Sequence, residues 1–230
     1  MLDPFGNSLA HWAVLGGHTK VLRHIKERCP NLLWTTNLAG QQPLHLACIT
    51  GKFNCATFLL LHTNNIEVAE SRGCTPLLLA AENGHHEIVA LLLLASANLK
   101  AVDDEENTAY HFAAKGGHIN VCNLLKNSGL KPWILLNEMH QTPLHLASSA
   151  GHLSVVRALC RLPIALESQL SLAPLQHPLN IRDQEGHTPV QLANRYGWSE
   201  VVALLETEKN RLDSQNLIPF SFQLVGRKIS

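Results

Sequence analysis

Apolar and polar positions along the chain follow a helical beat that restarts every thirty-odd residues. In the stretch from Ser71, Gly73 permits the positive φ of a tight turn. Thr75 stands where a hydroxyl caps a helix, and Pro76 stands at the first helical position, where its missing N–H costs nothing. Leu77, Ala80 and Ala81 give that helix a narrow apolar face of small side chains, and Gly84 supplies its C-terminal stop. Ile88, Val89, Leu92 and Leu93 then form one stripe at a period of 3.6, so the pattern predicts two helices in a hairpin with one apolar side. The stripe returns as Val155, Val156 and Leu159, and again as Val201, Val202 and Leu205.

A block reading roughly G-x-T-P-L-H-x-A-A-x-x-G-H opens at Gly6, Gly40, Gly73, Glu106, His140 and Gly186, at steps of 34, 33, 33, 34 and 46. A fixed period in this range marks a stacked architecture, because no single unit can bury its apolar face alone. Thr142-Pro143-Leu144-His145-Leu146-Ala147 followed by Gly151-His152, like Thr75-Pro76-Leu77 with Gly84-His85, resembles the ankyrin repeat. The resemblance implies an all-α, mainly helical solenoid of stacked helix-turn-helix units with short β-hairpin turns and a concave face, and an activity of protein recognition rather than catalysis. The expected repeat domain spans 3–206, in units at about 3–36, 37–69, 70–102, 103–136, 137–165 and 182–206. An insertion at 161–181 separates the last two units, and 207–230 forms a cap or tail.

Departures fall at the ends and in the fourth unit. The first unit has Ser8-Leu9-Ala10 in place of Thr-Pro-Leu, and the last has Gln191 and Trp198 in the two histidine slots. Capping units are expected to be atypical. The fourth has Glu106 for the turn glycine and Thr108-Ala109 for Thr-Pro, which predicts a looser turn there.

Lys+Arg and Asp+Glu stand at 18 each, which removes the positive field that non-specific nucleic-acid binding needs, so no nucleic-acid partner is expected. The six cysteines form no C-x-x-C pair and read as small core residues of a reducing compartment. The N-terminus lacks a secretory layout, and the longest apolar run, Ile88 to Ala95, falls far short of the ~20 residues that span a bilayer. Cytoplasmic or nuclear residence without membrane insertion follows as the expectation.

Fourteen histidines invite metal or acid–base chemistry, but eight occupy two repeat slots, where the resemblance implies hydrogen bonds to turns and to the next unit. His45 and Cys48 lie one helical turn apart without partners spaced to complete a tetrahedral site, so no metal is expected. There is no G-x-S-x-G elbow, no phosphate loop and no G-x-G-x-x-G turn, so neither cofactor nor catalytic residue is expected.

The family's variable hairpin tips and exposed inner-helix positions map onto Leu38, Gln41, Ile49, Arg72, Glu82, Asp104, Glu105, Asn107, Lys115, Glu138, Met139, Gln141, Glu185, His187, Arg195 and Tyr196. These are the candidate partner-binding residues. The run Asp103 to Glu106 suits a basic or arginine-bearing partner segment, or serves as a solvated tip. The insertion carries Pro163, Pro174 and Pro178 with several leucines, and Leu217 to Val225 forms an apolar tail. The leading expectation is a non-enzymatic module acting as scaffold or adaptor. The alternatives are a targeting subunit that recruits an enzyme such as a ubiquitin ligase, a bacterial effector working in a host cell, and the cytosolic ankyrin domain of a larger protein.

Overall fold

The computed structural model describes residues 2–63, 65–160 and 177–216. Six helical hairpins follow one another: α1 (Leu9–Leu15) with α2 (Thr19–Arg28), α3 (Pro43–Thr50) with α4 (Phe53–Leu60), α5 (Pro76–Glu82) with α6 (His86–Leu94), α7 (Ala109–Lys115) with α8 (Ile119–Asn127), α9 (Pro143–Ala150) with α10 (Leu153–Leu159), and α11 (Pro189–Arg195) with α12 (Ser199–Asn216). The helices before α12 run 7 to 10 residues, below the ~12–15 at which an isolated helix holds in water, so packing sustains them. Each inner helix (α1, α3, α5, α7, α9, α11) lies against the next inner helix, and the outer helices make a second layer. Between the layers sit Val14, Leu22, Ala47, Leu59, Leu77, Ile88, Leu125 and Val155.

Helices α9 and α11 pack directly, as do α10 and α12, so the extra length between them leaves the stacking register intact. Residues 161–176 of the expected insertion, with most of its leucines, lie outside the described residues, as does the apolar tail from Leu217. Leu179, at the insertion's end, is buried. Helix α12 passes the expected end at 206 and continues to Asn216.

The hairpin turns join tip to tip. Leu38 N–H donates to the Phe5 carbonyl at 3.0 Å, Ser71 to Ala39 at 3.1 Å, Asp104 to Arg72 at 3.1 Å, Glu138 to Glu105 at 3.0 Å and Gln184 to Met139 at 3.0 Å. Among the described residues the only β pairing is an isolated bridge between Val102 and Thr108, so these are hydrogen-bonded turns without a sheet.

The fourth turn is not looser than its neighbours. Glu106 takes the left-handed conformation itself, at φ 61°, and His140 does so in the fifth at φ 55°. Each costs roughly 1–2 kcal/mol relative to glycine. Asp103 holds the fourth turn closed: its Oδ1 accepts from the N–H groups of Glu105 at 3.1 Å and Asn107 at 2.6 Å.

Two sets of side chains tie neighbouring units. His11, His45, His111 and His145 are fully buried, and each Nδ1 accepts the N–H of its own helix's capping residue. That leaves Nε2 carrying the proton, which it donates to a carbonyl at or beyond the junction with the next unit: Gln41, Val68, Gln141 and, for His145, Ile181, at 2.7 to 3.1 Å. In the second set, rings lie over the helix-end glycine of the preceding unit: His85 on Gly51, His118 on Gly84, His152 on Gly117 and Trp198 on Gly151. Trp198 Nε1 donates to the Ser149 carbonyl at 2.8 Å, as His118 Nε2 does to Glu82 at 2.9 Å, so the tryptophan does the work of the histidine it replaces.

The third unit breaks the first set. Leu78 occupies the histidine position, and the Thr75 hydroxyl expected to cap α5 makes no such bond. That oxygen is buried without a hydrogen-bond partner.

Candidate interaction groove

The third to fifth units enclose a hollow of about 400 Å³. Its walls come from tips and inner helices, joined unit to unit by the backbone ladder and, between the fourth and fifth units, by the His111 tie. Eight of the sixteen anticipated residues meet here: Arg72, Glu82, Asp104, Glu105, Asn107, Lys115, Met139 and Gln141. The other eight lie elsewhere. Leu38, Gln41 and Ile49 belong to the second unit; Glu138 is at the fifth tip, its carbonyl accepting from Gln184 Nε2 at 2.6 Å. Glu185, His187, Arg195 and Tyr196 belong to the sixth unit.

Several of these residues serve the scaffold rather than a free surface. Asn107, expected at the surface, is only 8% exposed. Its amide donates to Asp103 and its Oδ1 accepts from Asn137 Nδ2 at 2.9 Å, so it fastens two adjacent tips. Ile49 is half-buried against the core, with its carbonyl taken by His85. Gln41 gives its carbonyl to His11. Arg72 is exposed but occupied, with Nε 3.3 Å from the buried carboxylate of Glu70 and its fork 3.2 and 3.4 Å from Glu82. The hydrogen bond to Glu82 leads the causes that raise the guanidinium's pKa.

The Arg72–Glu82 pairing joins the residue before the turn position to the one ten further on, at the end of the inner helix. The sixth unit repeats it with the signs exchanged, Glu185 to Arg195 at 3.1 Å, and His187 Nδ1 lies 3.4 Å from the same carboxylate. In the first two units the same positions hold Phe5 with Leu15 and Ala39 with Ile49. At these positions the groove therefore runs from an apolar start to charged residues in the third, fourth and sixth units, interrupted in the fifth by Met139 and Ser149. Leu38, 81% exposed, and Phe5, 71% exposed, stand at adjacent tips of the apolar end. Met139 and Tyr196 are also exposed.

The sequence reading missed His111, Phe112, Asn137 and Leu146, which line the hollow, and Phe5 at the first tip. Register marks Phe5, since it aligns with Arg72 and Glu185. Nothing in sequence marks the others, which also belong to the scaffold pattern. Burial pushes the His111 imidazole down to about 4, so it is neutral at physiological pH and serves as a tie.

Five cysteines are buried as expected, but Cys29 is exposed between α2 and the next turn. Burial raises the thiols of Cys74 and Cys122 to about 12, which keeps them protonated and unreactive. Among the described residues no group of three or more His, Cys, Asp or Glu is arranged to hold a metal ion. No described helix is long and apolar enough to cross a membrane.

Comparison with known proteins agrees with this architecture. A family model described as ankyrin repeats (3 copies) matches residues 1–71, 61–134 and 93–169. A search of curated proteins returned no match for the chain.

Proposed function

Because the chain belongs to the ankyrin-repeat family, whose members are generally protein-interaction modules, we propose that it is a non-enzymatic scaffold or adaptor that binds a segment of a partner protein along its concave face. The hollow across the third to fifth units carries this reading, because it gathers residues chosen from tip and inner-helix register alone into one concavity. Asp104 and Glu105, exposed at its rim, favour a basic or arginine-bearing segment. Cytoplasmic or nuclear residence fits thiols of which none is disulfide-bonded among the described residues.

The test is affinity capture with the wild-type chain beside a variant carrying Asp104→Lys, Glu105→Lys and Tyr196→Ala, with circular dichroism checking that both are folded. A protein partner retained by the wild type and lost by the variant supports groove binding. Equal retention by both would remove the concave face from consideration.

A further inference from the structure

We propose that the groove reads a two-point motif in an extended partner segment: a large apolar side chain seated on Phe5 and Leu38, and an arginine over Asp104 and Glu105, about five or six residues away. This rests on the groove reading above and adds the chemistry and spacing of what occupies it.

The apolar point is built from adjacent tips. Leu38 N–H bonds the Phe5 carbonyl, and a Cβ placed on Gly6 would lie 3.2 Å from Leu38 Cγ, so the Leu38 side chain lies across the first turn. Both side chains are more than two-thirds exposed, at 71% and 81%. Single exposed apolar residues scattered over a surface are ordinary, whereas these two stand on neighbouring rungs of one ladder.

The charged point is defined by which groups are already occupied. Between the two points stands Arg72, whose guanidinium is held by Glu70 and Glu82 and so presents no unpaired cation to a basic visitor. The Asp103 carboxylate receives two backbone N–H groups and the Asn107 amide. Asp104 and Glu105 are exposed carboxylates at the rim of the hollow, which Lys115 also lines; Glu105 is engaged only through Oε2, which accepts from the Asn107 amide at 3.3 Å. The surrounding segment has the same sign: residues 61–110 hold eight acidic residues against two basic, in a chain whose formal charges balance as a whole. Such a field steers a basic segment toward the hollow, and arginine's planar fork can bridge two carboxylates.

The spacing follows from the stack. Packed helices lie 8–10 Å apart, so the second and fourth tips are roughly 16–20 Å apart. An extended chain advances about 3.3 Å per residue and covers that span in five or six residues.

The experiment measures fluorescence polarisation of labelled fourteen-residue peptides. Each has Leu-Leu and Arg-Arg on a Ser/Thr/Gly background, separated by two, five, six or ten residues and made in both orders. Expected is a preference of about tenfold for the five- and six-residue separations in one order, with a similar loss on Leu38→Ser and on Asp104→Lys with Glu105→Lys. The Leu38 loss should vanish for peptides whose leucines are replaced by serine. Binding that is lost with the charge reversals but ignores separation and Leu38→Ser would overturn the two-point motif while leaving groove binding standing. Binding that ignores both sets of substitutions would overturn groove binding as well.

Discussion

The same substitution should change stability in opposite directions in the third and fifth units. Thr142 is fully buried; its hydroxyl donates to His145 Nδ1 at 2.8 Å and accepts the His145 N–H at 3.4 Å. Thr142→Val removes that cap and leaves a buried N–H short of its partner, at a cost of about 1–2 kcal/mol. Thr75, in the equivalent place, is 7% exposed and its hydroxyl bonds nothing, because Leu78 has taken the histidine position. Thr75→Val keeps the shape and deletes a polar group whose burial is uncompensated, which should stabilise by about 1 kcal/mol. With a urea dependence of about 2–3 kcal/mol per molar, the two midpoints should move apart by roughly 1 M. Urea titrations of the wild type and both variants, followed by circular dichroism at pH 7, measure this. Two variants shifting in the same direction by similar amounts would show that the histidine does not set the worth of the threonine.

Acid should loosen the array. The folded-state pKa of His111 is depressed, so its contribution is fully present above the ordinary value of 6.5 and is lost as pH falls from there toward about 4. That group alone contributes on the order of 3 kcal/mol, and His11, His45 and His145 are shifted the same way by burial, so urea midpoints should fall steadily between pH 6.5 and 4.5. A flat profile there would count against neutral buried imidazoles. Gly84→Ala and Gly197→Ala impose the same left-handed strain, at φ 75° and 79°, but only the first drives a methyl into the His118 ring. Thermal melts should show the Gly84 variant the worse by more than about 1 kcal/mol. Leu144→Ala, at a site 2% exposed, should cost about 2–5 kcal/mol in urea titration and leave the tip residues in place.

The repeated units, their helices and the stacking were legible because glycine, proline and the apolar stripe recur at fixed offsets, and each offset has one local meaning. The two histidine slots were legible as ties through the family resemblance. What the sequence hid were exchanges of partner. Nothing about Thr75 alone says that its hydroxyl depends on a histidine three residues on, and Leu78 reads as one more core leucine. Trp198 looks like a lost histidine, yet its indole N–H reaches the equivalent carbonyl. Half of the candidate surface gathers in one hollow because tips and inner helices share a register. The burial of Asn107 and the pairing of Arg72 were not legible, because each depends on a neighbour one unit or ten residues away.

The third unit's missing imidazole has a mechanical meaning. At the first and second tips Asn37 Nδ2 donates to Asn7 at 3.0 Å, and at the fourth and fifth Asn137 donates to Asn107; the corresponding pair between the third and fourth is Cys74 and Asp103, which have no amide. That joint keeps its backbone rung and the His118 ring on Gly84, but it has neither a buried imidazole of the first set nor the amide tie of the first–second and fourth–fifth joints. Cohesion in a solenoid passes only between adjacent units, so bending and splaying cost least at its thinnest seam. Here that joint forms part of the wall of the hollow, so any splay of the array at this point would widen or narrow the groove directly.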